Sequence, residues 1–183
     1  MTRLPSADDV LHFWFQELEA KDWFVANPTV DEMIRLRFEP LLKSAAQSEL
    51  FEWRTSAKHR LAEVIVLDQF SRNIYRNSAQ AFAQDPLALA LAQQAIELKL
   101  DQDLNLTERS FLYMPFMHSE SKLIHQLAVD LFNIAGMENN YQFELKHKVI
   151  IDRFGRYPHR NDILGRASTA EEIEFLTQPD SSF

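Results

Sequence analysis

The chain has no cysteine among its 183 residues. That excludes disulfides, thiolate metal ligands and a cysteine nucleophile, and it suits a reducing compartment. Only three glycines are present. Glycine supplies the positive φ of tight hairpin turns, so its scarcity argues against a β-rich fold and for helices joined by polar loops. No basic excess is present: the formal net charge is −8, which disfavours general nucleic-acid binding. No apolar run approaches the length needed to span a bilayer. The N-terminal MTRLPSADDVLHFWF carries acidic residues where a secretory signal would need a continuous apolar stretch. The expectation is a soluble, cytoplasmic protein with no membrane or nucleic-acid partner.

What is present fits one helical domain over 1–183, with a frayed tail at about 177–183. Hydrophobic residues make up 46% and charged residues 25%, ordinary values for a globular chain long enough to bury a core. Ser6 caps a first helix, with Asp8 and Asp9 in its first turn. Thr29 and Glu32 read as a capping box for a second, which Pro40 should kink or break. Thr55 or Ser56 starts a third helix with Leu61, Val64, Ile65 and Asp68 on one face, stopping near Phe70 to Asn73. Asp85-Pro86 reads as cap and first helical residue. Thr107 and Glu108 open another helix that Pro115 ends or kinks, followed by a long pattern from Phe116 to Ala135. Asn140 caps a helix with Phe143, His147, Ile150, Ile151 and Phe154 on its apolar face, stopped by Gly155. Ser168 and Glu171 read as a capping box for a last helix, Thr169 to Leu176. Strand alternation is absent, and no repeat of about 34 residues stands out. The reading is all-α: antiparallel helical hairpins, seven or eight helices.

The candidate site centres on Arg153–Arg166, RFGRYPHRNDILGR. This stretch carries a net +3 with His159 neutral, leaving −11 for the rest of the chain. Three ionisable residues fall on otherwise apolar faces: Asp68, Glu120 and His147. A buried charge needs a partner. Arg72, one turn on from Asp68, and the arginines of the late loop are suitable, because a guanidinium grips a carboxylate through two parallel hydrogen bonds. One reading makes Arg153, Arg156, Arg160 and Arg166 fasteners of a loop without regular structure. The other gathers Arg72, Arg156, Arg160 and Arg166 with His118, His147 and His159 around a small anionic or carboxylate ligand. There His118 or His147 serves as general acid or base, and Glu120 or Asp68 orients it. A metal centre drawn from His118, Glu120, His125, His147 and Asp68 is disfavoured: no HExxH is present, and His118 and Glu120 fall on different faces. No GxSxG elbow supports Ser119 as a nucleophile. No cofactor is expected.

Three stretches, Leu67–Asn73 (LDQFSRN), Phe111–Glu120 (FLYMPFMHSE) and His147–Glu172 (HKVIIDRFGRYPHRNDILGRASTAEE), together resemble the bacterial family named domain of unknown function 924, over about Val10 to Leu176. The resemblance implies a tetratricopeptide-like helical fold and no activity. Its polar signature adds Asn73 and Asn161 to the ligand-binding candidates Asp68, Arg72, Arg156, His159, Arg160 and Arg166. Two departures are Ser71, where the family often has proline, and Tyr157, where phenylalanine is more usual. The implied fold also allows a competing function, a non-catalytic scaffold that binds a peptide or protein in a concave groove.

Overall fold

The computed structural model describes residues 3–182. Among these, eight helices and no strand are present. Helix α1 (Ala7–His12) runs on into a π-helical turn, Phe13–Glu17. Helix α2 spans Pro28–Ala46. Helix α3 begins at Ala57–Ile65, passes through a second π turn at Val66–Phe70 and ends at Ser71–Ile74. Then follow α4 (Asp85–Glu97), α5 (Leu106–Met117), α6 (Lys122–Phe132), α7 (Glu138–Phe154) and α8 (Ala170–Phe175). Short 3₁₀ turns, including Ala79–Phe82 and Pro158–Arg160, make the connections.

Helix α3 is the centre. Residues 61–71 are buried without interruption, because α1, α2, α4 and α5 pack around it. Phe70 joins an aromatic cluster in which Phe38 lies 4.8 Å from Phe70 and 5.1 Å from Phe13, while Trp14 meets Phe111 edge-on at 5.5 Å. Two carboxylates lie inside this buried run. Glu63 is gripped by Arg54 through two bonds of 2.8 and 2.7 Å. Asp68 belongs to the candidate site. From α4 the chain proceeds by neighbours, α4 on α5, α5 on α6 and α7, and α6 on α7. A small second cluster of Ile150, Ile151 and Tyr157, flanked by Phe154 and Phe175, seats the end of α7 against α8.

Several helix ends differ from the sequence expectation. Asn27, not Thr29, caps α2, because Pro28 at the first helical position needs no donor and Asn27 accepts from Thr29 N. The helix passes Pro40 unbroken: Pro40 and Leu36 are both exposed, so the carbonyl left without a donor faces water. Helix α3 continues past Phe70 because the π turn absorbs the irregularity. Gln84 precedes α4, freeing the Asp85 side chain for other use. Asn105 with Glu108, rather than Thr107, forms the capping box of α5, and α5 runs two residues beyond Pro115. The pattern from Phe116 to Ala135 is broken at His118–Ser121, and α6 starts only at Lys122, capped by Ser121. Helix α7 starts at Glu138 rather than after Asn140. The capping box of α8 is Thr169 with Glu172, one residue later than Ser168 with Glu171. Gly155 stops α7 at φ 69° as expected of an αL residue.

The buried face of α7 is also rotated. Phe143 is exposed and Glu144 is buried, because the inward position is taken by the partner of a buried histidine on α6. Beyond α8, Ser181 Oγ donates to Leu176 O and Lys146 pairs with Asp180. No helix among the described residues is long and apolar enough to cross a membrane.

Candidate functional site

The site begins in the π turn of α3. A π turn widens the helix by one residue and re-aims its side chains. Here all five of its residues are buried. Asp68 Oδ1 lies 2.7 Å from His118 Nδ1 and 3.0 Å from Arg72 Nη1. The other oxygen, Oδ2, accepts from Gln69 Nε2 at 2.6 Å. Burial alone would raise the Asp68 pKa, but His118 and Arg72 outweigh it and hold the carboxyl ionised, below the usual range. An ionised carboxylate only accepts. His118 Nδ1 therefore carries the hydrogen, and Nε2 keeps its lone pair.

His118 is positioned by the end of α5, where its backbone N–H donates to Met114 O at 2.9 Å. Burial and then the charge of Arg72 push its pKa below the ordinary histidine value, with Asp68 opposing. The imidazole is neutral at pH 7, in the form a general base needs.

Arg72 is fully used. Besides Asp68 it holds both oxygens of Asp85 at 2.8 and 2.9 Å, tying α3 to the start of α4. Arg160 is different. It is 6% exposed, and its guanidinium carbon lies 4.6 Å from the Phe82 ring centre and 4.4 Å from that of Tyr157. Its ion pair to Asp85 is long, 3.5 Å from Nη1. Its Nε is buried without a partner, and Nη2 makes no hydrogen bond among the described residues. Burial, then Arg72, lower the Arg160 pKa. This guanidinium is held in place by two aromatic rings rather than by the acceptors it needs.

Tyr157 is the wall of the site. Its hydroxyl donates to Met117 O at 2.5 Å. The His147 ring meets it edge-on at 5.8 Å, and the His159 ring lies tilted against it at 5.5 Å. Burial holds His147 down at a pKa of about 3 and His159 at about 4, so both are neutral at pH 7. His147 Nδ1 faces Phe143 O at 2.7 Å and therefore carries the hydrogen.

Of the sequence-predicted residues, Asp68, Arg72, His118 and Arg160 come together, with His147 and His159 around Tyr157. The others form a separate fastening. Glu120 accepts from Arg166 at 2.6 and 2.9 Å and from Tyr157 N at 2.7 Å. It orients no histidine; that role falls to Asp68 alone. Arg156 grips Glu172 through bonds of 2.6 and 2.8 Å, and Glu172 is held at about 2 by that contact first. Asn161 bridges Arg166, Ser168 and Glu172. Arg153 pairs with Glu171 at the surface. Asn73 turns away to Asp31. The late loop is thus a clasp with four arginines in two uses: Arg153, Arg156 and Arg166 fasten it, and Arg160 reaches inward.

Sequence reasoning missed Asp85, because Asp-Pro at a helix start had a sufficient local explanation. Phe82 carries no polar signal. Glu144 was also missed, hidden behind the apolar Phe143. It pairs at 2.7 Å with Nδ1 of fully buried His125, whose Nε2 faces Ser119 O at 2.8 Å. Burial raises the Glu144 pKa. Among the described residues no group of three metal-ligating side chains is assembled. Two open surface hollows of about 470 and 620 Å³ lie elsewhere, beside Arg37 and beside Trp23. Arg37 there pairs with Glu17 and Glu108 with Lys58, and neither hollow is lined by a buried, unpartnered guanidinium nitrogen such as that of Arg160.

Comparison with known proteins gives the same picture of the whole chain. No curated protein matches it. A solved structure of a protein of unknown function from Agrobacterium tumefaciens is similar, with 38% sequence identity and a TM-score of 0.88, over 93% of this chain and 96% of the other. A family model described as bacterial protein of unknown function matches residues 10–180. The matched range includes the stretches Leu67–Asn73, Phe111–Glu120 and His147–Glu172, and the chain belongs to the bacterial family of unknown function DUF924.

Proposed function

We propose that the protein binds a small anion at Arg160 and that His118, oriented by Asp68, acts on the bound molecule as a general base, with hydrolytic or transfer chemistry. The observation that carries this reading is the contrast among the arginines. Arg72, Arg156 and Arg166 each meet a carboxylate through two bonds shorter than 3 Å. Arg160 is buried more deeply and has one contact of 3.5 Å. A buried guanidinium with one long ion pair and a sealed, unpartnered Nε costs stability and is retained where a ligand supplies acceptors. His118 Nε2 is free to take a proton from water or substrate, and Asp68 stabilises the imidazolium that forms. The cysteine-free chain suits the cytoplasm, and its acidic charge disfavours a polyanionic partner.

A thermal-shift panel of phosphorylated and carboxylate metabolites tests this. At least one should raise the melting point of the wild type, and the shift should vanish in Arg160→Met. No stabilising compound, or a shift that survives Arg160→Met, removes the reading. His118→Ala should keep the shift and abolish turnover.

The competing reading, a scaffold for a peptide or protein, draws on exposed apolar residues of α6 and α7: Leu123, Leu127, Phe143 and Val149. A single stoichiometric partner whose capture survives both Arg160→Met and His118→Ala would favour it.

A further inference from the structure

Granting that Arg160 binds an anion, we infer that the ligand class is a planar monocarboxylate and not a phosphate ester, seated end-on against the two terminal nitrogens of Arg160. Three observations lead there. Two aromatic rings lie against the guanidinium, Phe82 at 4.6 Å and Tyr157 at 4.4 Å. Its N–H bonds all point in the plane of the group. Within that plane Nε is sealed, so the Nη1 and Nη2 end is the edge left. Two parallel N–H groups in one plane match two coplanar carboxylate oxygens; a tetrahedral phosphate uses this fork with two oxygens and needs further donors for the rest.

Charge gives the second argument. Arg72 is spent on Asp68 and Asp85. Two arginines and two aspartates leave the cluster neutral, and His147 and His159 stay uncharged. One incoming negative charge takes the cluster to −1, with Arg160, whose own counter-ion is distant, as its partner. A second would have none, and the cost of a buried charge grows steeply with its size.

The third argument is the neighbours. Asp85 already faces Nη1 at 3.5 Å, and Asp68 accepts from His118 nearby. Both repel an anion, and a dianion about twice as strongly as a monoanion.

The test is an NMR titration of the histidine ring C–H signals with acetate, benzoate and inorganic phosphate, at a pH where phosphate is mainly a dianion. Wild type, Arg160→Lys and Arg160→Met are compared. The expected result is carboxylate binding about tenfold tighter than phosphate. Arg160→Lys should weaken it about tenfold, because a point charge cannot form the fork, and Arg160→Met should abolish it. Phosphate binding that is equal or tighter, and lost in Arg160→Met, overturns the carboxylate inference and leaves the anion site standing. No Arg160-dependent binding of any probe overturns both.

Discussion

Replacing Arg160 and Arg166 in turn by methionine separates an arginine held for a ligand from one held for the fold. Arg166 makes two bonds to Glu120, one to Asn161 Oδ1 at 3.0 Å and one to Tyr157 O at 3.2 Å. Removing it strands the Glu120 carboxylate, whose side chain is 26% exposed. Breaking a fully buried pair costs 3–5 kcal/mol, and this exposure reduces it to roughly 3 kcal/mol. Arg160 is the opposite case. Its removal leaves Asp85 doubly bonded to Arg72 and relieves a buried, unpartnered Nε, worth about 1–3 kcal/mol. Against this stands the cation–π attraction of Phe82 and Tyr157, about 1–2 kcal/mol. Methionine keeps much of that contact through its sulfur. The net effect of Arg160→Met is a change between zero and about 2 kcal/mol of added stability. For a chain of this length 1 kcal/mol is about 2–4 °C. Arg166→Met should therefore melt roughly 6–12 °C below wild type, and Arg160→Met at or up to roughly 8 °C above it. Differential scanning fluorimetry and urea unfolding at neutral pH measure both. If Arg160→Met falls as far as Arg166→Met, Arg160 is one more fastener, and the argument for a site collapses.

Acid should weaken the fold through His147 and His159. Their folded pKa values, about 3 and about 4, lie below the unfolded value near 6.5. The unfolded chain binds the extra protons, so stability is complete above about pH 6.5 and is lost as pH falls from there towards the folded values. By pH 5 each contributes a loss of about 2 kcal/mol; His147→Phe should flatten the urea-unfolding profile between pH 6.5 and 5, and an unchanged slope would refute the assignment. Glu144→Ala leaves buried His125 facing an empty position and should cost about 3–5 kcal/mol, read by chemical denaturation; a loss under about 1 kcal/mol would show the pair to be dispensable. Gly155 holds φ 69° with open space around its missing Cβ, so Gly155→Ala should cost about 1–2 kcal/mol from backbone strain alone, seen as a modest drop in melting temperature with unchanged far-UV circular dichroism.

Much of the fold was legible because helices declare themselves locally. Ser6, Pro86 and Gly155 mark two helix starts and a stop through backbone chemistry that involves only near neighbours. Errors of one or two residues at Thr29, Thr107 and Ser168 arose where two residues within two positions of each other could each cap. The face of α7 was misread for a different reason: Phe143 looks inward by hydropathy, yet Glu144 is the residue that His125 requires.

The sequence by itself determined an all-helical, cysteine-free chain with Asp68 and His147 as ionisable residues on buried helix faces and a basic late loop. Those follow from composition, periodicity and the cost of burying charge. Only the tertiary structure decided how the charges pair. It joined Asp68 to His118 rather than to the loop, gave Glu120 to Arg166, brought in Asp85 from a helix start, and left Arg160 between Phe82 and Tyr157 with its hydrogen bonds unspent. The physical reason is that any arginine can serve any nearby carboxylate. Which one does depends on distances between segments up to 75 residues apart, and these are set by how the helices pack around α3.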